Sequence, residues 1–365
     1  MLINAALLLT GAVALAQPVQ QSPPLAIGLK APALDSKVTW LKGEPVPEFK
    51  PGRIYVLDFW ATWCGPCIAN MPHLNELAEQ YKDDVTVIGV AIWQDQAPGA
   101  ISPSEFLKRG DPPMNFTVAQ DIDNQVAAQW MESQGLFGIP ETMIVDRHGR
   151  LAWHGHPQAG LEQVLQSIVK GEYDIDAEAA RSQRQAKGQK LIDEANQRAS
   201  QNDWDGALAL IDQAVELDPQ QFGSYAVSKF QILLSQLKRR EEAYSYGWKI
   251  VKGAIKDQAD ALDSLAWFLV DELSPAAGDN PDLDLALTAA QRANELAQGS
   301  NASYLDTLAA VHFARHETDK AVELQRRAVE LATAQPGAYP PGLVKDMQQR
   351  LQKYEAAAKR DNATG

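Results

Sequence analysis

The chain has 365 residues, of which 45% are hydrophobic, and it carries a net charge of −14. This length suits about two domains, and this hydrophobic content excludes a disordered chain. The excess of acidic residues argues against a nucleic-acid partner. The cysteines are Cys64 and Cys67 alone, which excludes a scaffold held by several disulfides and a four-cysteine zinc site.

The N-terminal residues predict an export signal. Residues 2–16 are apolar, and Ala14, Leu15 and Ala16 fit the small-x-small pattern of signal-peptidase cleavage. We therefore expect a signal peptide over residues 1–16, a linker over 17–25, and a periplasmic or otherwise exported protein. Because no lysine or arginine precedes the apolar run, an uncleaved N-terminal membrane anchor is the alternative.

Residues 26–171 predict one domain of mixed strands and helices. Apolar, β-branched runs at 54–60 and 85–92 predict central strands of a covered sheet. Residues 67–81 have the apolar spacing of a helix, which Pro72 should kink. A strand at 142–146, a turn, a return strand at 151–154 and an amphipathic helix at 161–169 complete the domain.

From about residue 178 onward the sequence predicts helices only, and it repeats. Small residues recur at spacings of 36, 43 and 35 positions, at Ala207, Ala243, Ala286 and Ala321. A period near 34 made of helix pairs is typical of tetratricopeptide (TPR) repeats. We predict a linker or helix at 172–188, TPR-like repeats at 189–340, and a C-terminal helix and tail at 341–365. An irregular helical bundle is the alternative.

A Trp-Cys-Gly-Pro-Cys motif at residues 63–67 lies between a predicted strand and a predicted helix. At a helix N-terminus, unpaired N–H groups and the helix dipole stabilise an anion. The thiolate of Cys64 is therefore favoured, and a thiolate is the nucleophile in disulfide chemistry. Cys67 lies one turn behind, close enough to pair with Cys64, and Pro66 fits the first helical turn.

Three segments resemble the thioredoxin superfamily, and more closely its exported TlpA/ResA-type branch. They are the strand and motif at 57–67, the segment 138–146 around Pro140, and the entry segment 28–32. The resemblance implies an α/β thioredoxin-like fold, with a central mixed sheet flanked by helices, followed here by the all-α repeats. One departure is Glu141, where the family commonly has threonine or serine. It places an additional acid beside the substrate groove.

The resemblance also implies catalytic roles. Cys64 attacks a partner disulfide, and Cys67 resolves the mixed disulfide that forms. Asp58 takes or gives the Cys67 proton through water, unless it is only an acid at a strand end. Burial would raise its pKa and suit it to proton transfer.

A substrate-binding surface follows from the same resemblance. The peptide bond before Pro140 should be cis, which exposes the Ile139 backbone to a substrate strand, and the proline keeps metals from the cysteines. Trp60 is as compatible with a position in the hydrophobic core as with one that lines the active site. The residues assigned to this surface are Trp63, Gly65, Pro66, Ile139 and Pro140.

Other chemistries are disfavoured. A peroxidase of the peroxiredoxin type would need threonine or serine three residues before the reactive cysteine and proline seven residues before it. This chain has Ala61 and Leu57 at those positions. The alternative to a redox-active pair is a disulfide that only stabilises the fold. The histidine pairs at 154/156 and 312/316 are interpreted as surface or solvated residues, and the acidic segment 279–284 lacks the pattern of an EF-hand. We expect no metal and no organic cofactor.

The sequence thus predicts an exported thiol–disulfide oxidoreductase acting on protein disulfides. In the thioredoxin-like proteins that the chain resembles, a Gly-Pro dipeptide goes with the reducing side, so the resemblance implies the reductase direction. That direction requires rereduction by a membrane or exported thiol protein. The repeats would dock partners or mediate self-association. The alternative is a protein- or peptide-binding scaffold, in which the thioredoxin-like domain serves recognition rather than turnover.

Overall fold

The computed structural model describes residues 24–271, 278 and 280–364. The predicted signal peptide, most of the linker after it and part of the acidic segment 279–284 lie outside these residues. Contacts divide the chain into two compact units, one ending at Ala180 and the other beginning at Arg181. Nowhere in the described ranges is a helix both long and apolar enough to cross a membrane.

The first unit contains, within the described residues, a six-stranded mixed sheet in the order β1-β4-β3-β2-β5-β6. Strands β2, β3 and β4 run parallel, whereas β1, β5 and β6 are antiparallel to their neighbours. The strands are β1 (Val38–Lys42), β2 (Ile54–Trp60), β3 (Val85–Ala91), β4 (Thr117–Asp121), β5 (Glu141–Val145) and β6 (Leu151–Gly155).

Strand β2 is buried along its whole length, which confirms the central strand predicted from its two-sided apolarity. Successive side chains of a strand point to opposite faces. Val56 and Trp60 therefore join the core that contains Cys67, whereas Leu57 and Phe59 join the core on the other face. The sheet thus separates two apolar layers.

Helices of the first unit are α1 (Gly65–Gln80), α2 (Pro103–Arg109) and α3 (Leu161–Lys170). Helix α1 begins two residues earlier than predicted, because Cys64 caps it and Pro66 lies in its first turn. Pro72 lies inside α1, which is one continuous helix. Strands β1 and β4 and helix α2 were not predicted.

The described residues of the second unit form helices joined by short turns, with no strand among them. Helix α4 (Ile175–Ser200) starts before the boundary and covers most of the segment 172–188, which was predicted as a linker or helix. The helices after it are α5 (Trp204–Leu217), α6 (Pro219–Gln231), α7 (Arg240–Lys252), α8 (Ala259–Val270), α9 (Leu283–Leu296), α10 (Ala302–Ala314), α11 (Thr318–Ala334) and α12 (Pro341–Thr364).

The repeated small residues lie where helices approach one another. Ala207, Ala243, Ala286 and Ala321 are all buried, with at most 2% of each side chain exposed. Short side chains let neighbouring helices pack closely, so the periodicity has a direct physical cause. The assignment of these helices to TPR repeats stays a prediction.

One histidine interpretation was wrong. His312 lies in α10 and is buried, with its Nδ1 3.1 Å from Oε2 of Glu317. Burial lowers the pKa of His312, although Glu317 opposes this effect. A solvated face was expected for both histidines because they were assigned to a repeat helix. Helix α10 is instead buried on nearly all sides around His312, whereas His316, beyond the end of α10, is exposed as expected.

Candidate active site

Cys64 and Cys67 form a disulfide at the N-terminus of α1, with their Cα atoms 5.3 Å apart. Both are buried, Cys67 completely and Cys64 with 4% exposed. The Cys67 N–H donates a hydrogen bond to Sγ of Cys64, 3.2 Å away. Cys64 is thus the N-cap of α1, and this backbone donor would stabilise its thiolate after reduction.

Trp63 lies directly before the disulfide and is held at one end. Its side chain is 37% exposed, and its Nε1 donates to the backbone oxygen of Trp93 at 2.9 Å. The adjacent Gly65 and Pro66 are exposed. Trp60, in contrast, is fully buried against Phe106 and belongs to the core.

Asp58 is a buried carboxyl group in the middle of β2, with 1% of the residue exposed. By strand alternation it lies on the same face of the sheet as Cys67. The Thr142 hydroxyl donates to its Oδ1 at 2.8 Å. Burial raises the pKa of Asp58 to about 7, with Glu141 adding to the effect and Thr142 opposing it. This carboxyl group can therefore exchange a proton near neutral pH.

The peptide bond between Ile139 and Pro140 is cis, as predicted. Pro140 is buried, and Ile139 is half-buried against both cores of the first unit. The next two residues enter β5, where Glu141 pairs with Phe59 and Thr142 with Asp58. The register of β2 and β5 therefore joins the proline segment to the buried carboxyl group.

Sequence reasoning missed a contact of Glu141. Its Oε1 lies 2.9 Å from Nδ1 of His154, in strand β6, which extends one residue beyond the predicted return strand. The sequence predicted the hairpin but not its register, which places His154 opposite Met143. The acid beside the predicted groove therefore has a partly buried histidine partner.

Comparisons with known proteins agree with this geometry. Residues 30–165 match the Redoxin family. The protein FixW of Rhizobium leguminosarum is 26% identical over 209 residues, which are 53% of this chain and 92% of FixW. The thiol-disulfide oxidoreductase ResA of Bacillus thuringiensis is 31% identical over 146 residues, which are 40% of this chain and 78% of ResA.

The chain belongs to the thioredoxin superfamily. It is a thioredoxin-like disulfide oxidoreductase, with a CxxC pair and the mixed sheet of that fold followed by a largely helical region. A solved structure of a thiol:disulfide interchange protein from a Bacteroides species is 23% identical, with a TM-score of 0.33. The match covers 40% of this chain and 92% of that one.

The described part of this thioredoxin-like oxidoreductase has no group of three or more histidine, cysteine, aspartate or glutamate side chains placed to hold a metal ion. The groups that the site does offer are a dithiol pair and a buried carboxyl group, and these can exchange thiols and move protons.

Proposed function

We propose that this protein is an exported thiol–disulfide oxidoreductase that reduces disulfides in other proteins. One observation carries the proposal, which is the Cys64–Cys67 disulfide at the start of α1. The pair lies where backbone donors stabilise a thiolate. The Gly-Pro dipeptide between the cysteines supports the reductase direction.

The reaction begins with the reduced protein. The Cys64 thiolate attacks one sulfur of the partner disulfide, forms a mixed disulfide, and releases the other partner sulfur as a thiolate that takes a proton. Cys67 then loses its proton to Asp58 and attacks Sγ of Cys64, which breaks the bond to the partner sulfur and forms the Cys64–Cys67 disulfide. The partner sulfur leaves as a thiolate and takes up the proton that Asp58 gives back through solvent, so the partner has gained two electrons and two protons.

Asp58 suits the proton-accepting role because its pKa of about 7 lets it be ionised or protonated near neutral pH. Its position on the Cys67 face of the sheet supports transfer through a water molecule. Thr142 orients the carboxyl group by its hydrogen bond to Oδ1.

The partner would bind across the exposed surface at the motif. We assign five residues to it, because three belong to the motif and two form the proline segment, whose Ile139 packs against the core that contains both cysteines. They are Trp63, Gly65, Pro66, Ile139 and Pro140.

Export and rereduction complete the cycle. The apolar segment 2–16, which ends in the small-x-small pattern at residues 14–16, supports an exported, periplasmic location, through either a cleaved signal or an N-terminal anchor. A membrane or exported thiol protein would then return electrons to the disulfide.

The helical second unit supports a docking role. We propose that its helix pairs are TPR-like repeats that bind partners or mediate self-association. The scaffold alternative gives this unit the main function and the thioredoxin-like domain a part in recognition only.

Cysteine variants test the proposal. Reduced wild-type protein should cleave insulin disulfides, measured by insulin precipitation, and Cys64→Ser should abolish the activity. Cys67→Ser should instead hold partners as mixed disulfides, which survive denaturant and are released by dithiothreitol. Unchanged insulin cleavage by Cys64→Ser would refute the assignment.

The same experiment separates the scaffold alternative. The full chain with both cysteines replaced by serine serves as the control, because it cannot form a mixed disulfide. Wild-type protein that cleaves no insulin, while the double variant retains partners through native washes, would favour the scaffold.

A further inference from the structure

The chain that leaves β3 contacts both residues that precede Cys64. The Nε1 of Trp63 donates to the backbone oxygen of Trp93 at 2.9 Å. The Oε1 of Gln94 accepts from the Thr62 backbone N–H at 3.4 Å and lies 3.0 Å from the Thr62 hydroxyl. Trp93 and Gln94 therefore hold the two residues that lead into the redox pair.

The carboxamide of Gln94 is a bridge between the sheet and the motif. Its Nε2 donates to the backbone oxygen of Ile92, directly after β3, at 3.0 Å. The Thr62 hydroxyl also lies 2.8 Å from the backbone oxygen of Ile101, and its single proton can serve only one acceptor at a time. Because the Thr62 backbone N–H donates to Gln94 in either case, this contact persists whichever way the hydroxyl turns.

Trp93 holds Gln94 in place through an uncommon backbone conformation. Its φ is +50°, in the left-handed region that a bulky side chain rarely adopts. The residue is 4% exposed, and its Nε1 donates to Oε1 of Glu132 at 3.2 Å. Such a conformation costs energy and persists where neighbouring groups hold it. The left-handed turn at Trp93 thus belongs to the arrangement that brings Gln94 to Thr62.

The held residues lie inside a turn that sets the entry into α1. The Cys64 N–H donates to the backbone oxygen of Ala61 at 3.1 Å, with Thr62 and Trp63 between them. Fixing these two middle residues fixes the direction in which the chain enters the helix. Cys64 must stay at the N-cap if the Cys67 N–H is to reach its sulfur.

We propose that Gln94 is a positioning residue for the redox pair. By holding Thr62, it keeps Cys64 at the N-cap of α1, where backbone donors favour the thiolate. Gln94 acts through Thr62 and not on the sulfur itself. The inference rests on the proposed function, in which the Cys64 thiolate is the nucleophile.

The pH dependence of Cys64 alkylation tests the inference. The full chain with Cys67→Ser leaves Cys64 as the single thiol, and mass spectrometry follows its reaction with iodoacetamide from pH 5 to pH 10. The rate depends on the fraction of thiolate. Gln94→Met replaces the carboxamide by an apolar group of similar shape. It should slow alkylation by up to about tenfold at low pH, the factor that one lost hydrogen bond can produce. The rates should converge at high pH, where the thiolate is fully formed.

Two further variants assign the effect to the contact. Thr62→Val keeps the β-branched shape but loses the hydroxyl, and should slow alkylation at low pH by a smaller factor. Combined with Gln94→Met, it should slow the reaction by less than the product of the two separate effects, because both changes remove parts of one contact. Gln96→Met is the matched control, since Gln96 is an exposed glutamine on the same short helical turn, Gln94–Gln96, and should leave the profile unchanged.

The outcomes separate this inference from the proposed function. A Gln94→Met profile that coincides with that of Gln96→Met overturns the inference, and so does slowing that is equal at every pH, since that reports access of the reagent. If Gln94→Met does not fold, Thr62→Val decides by the same criteria. Wild-type protein that cleaves insulin keeps the reductase function standing in each case. Wild-type protein that cleaves none contradicts that function, while the alkylation profile still decides the role of Gln94.

Discussion

Asp58 shows how one residue can link the fold to the chemistry. Strand β2 needs apolar side chains on both faces, yet it carries a carboxyl group with 1% of the residue exposed. Ionising a carboxylate in such surroundings is unfavourable, so its pKa rises to about 7. The same burial that suits Asp58 to proton transfer makes the folded state sensitive to pH.

We expect Asp58→Asn to change the pH dependence of stability. Between pH 4 and 7 the folded protein keeps a proton on Asp58 that the unfolded chain releases, so the free energy of unfolding falls as pH rises. Asparagine keeps an acceptor for Thr142 but cannot ionise. The variant should gain up to about 4 kcal/mol relative to wild type from pH 4 to pH 8.

Denaturant unfolding of the two oxidised proteins at several pH values measures this difference. Subtracting wild type from variant removes the contribution of all other titrating groups. A difference that stays flat from pH 4 to pH 8 would show that Asp58 is already ionised in the folded protein at low pH.

At the scale of single residues, the sequence predicted the functional residues that belong to short sequence motifs. Cys64, Cys67 and the cis bond before Pro140 depend on neighbours in sequence, and the structure has the disulfide and the cis bond. The pairing of Glu141 with His154 depends on the exact register of two strands. A one-residue shift of that register would move each side chain to the opposite face of the sheet. The hydropathy pattern of the two strands did not determine the register.

Elements were predicted best where both faces of a strand are apolar. Strand β2 has the predicted bounds, and β3 ends one residue earlier than predicted. Strand β1, at the edge of the sheet, has only one buried residue, Val38. Strand β4 ends in half-buried polar residues. Their short, mixed patterns become strands through pairing with neighbours, a long-range effect that local sequence does not contain.

Helix packing in the second unit gives a prediction at the element scale. Gly188 in α4 faces the ring of Phe222, which is 2% exposed, and a Cβ atom there would overlap the ring. Gly188→Ala should therefore cost about 1–3 kcal/mol, despite the better helix propensity of alanine. Gly342→Ala, in α12 with open space around the site, is the matched control.

Thermal unfolding of the two glycine variants checks this packing. Gly342→Ala should unfold at or slightly above the wild-type temperature, because alanine has a higher helix propensity than glycine. A Gly188→Ala variant as stable as wild type would mean that α4 and α6 do not approach as closely as the structure has them.

At the scale of the whole molecule, the chain combines a redox unit and a helical unit, each with its own apolar core. The change from strand to helix signals near residue 178 indicated this organisation. It did not place the start of α4 at Ile175, because the residues there are polar and helix-compatible without an apolar period. The domain bounds at 171 and 189 therefore stay a prediction.

Because the two units have separate apolar cores, we expect calorimetry to show two unfolding transitions, each shifted only by changes within its own unit. Reducing the disulfide should destabilise only the unit that contains it, by about 2 kcal/mol, the loop-closure entropy of so short a ring. Gly188→Ala should lower only the other transition. One transition that shifts as a whole under both changes would show that the two units unfold together.

The hydrogen bond from the Cys67 N–H to Sγ of Cys64 has a practical consequence. When the disulfide is reduced, the acceptor of this hydrogen bond changes from a disulfide sulfur to the sulfur of a thiol or thiolate. The amide resonance of Cys67 in a ¹⁵N-correlated NMR spectrum should therefore respond directly to the oxidation state. Following that single peak during a titration with a redox buffer would give the midpoint potential without an attached label.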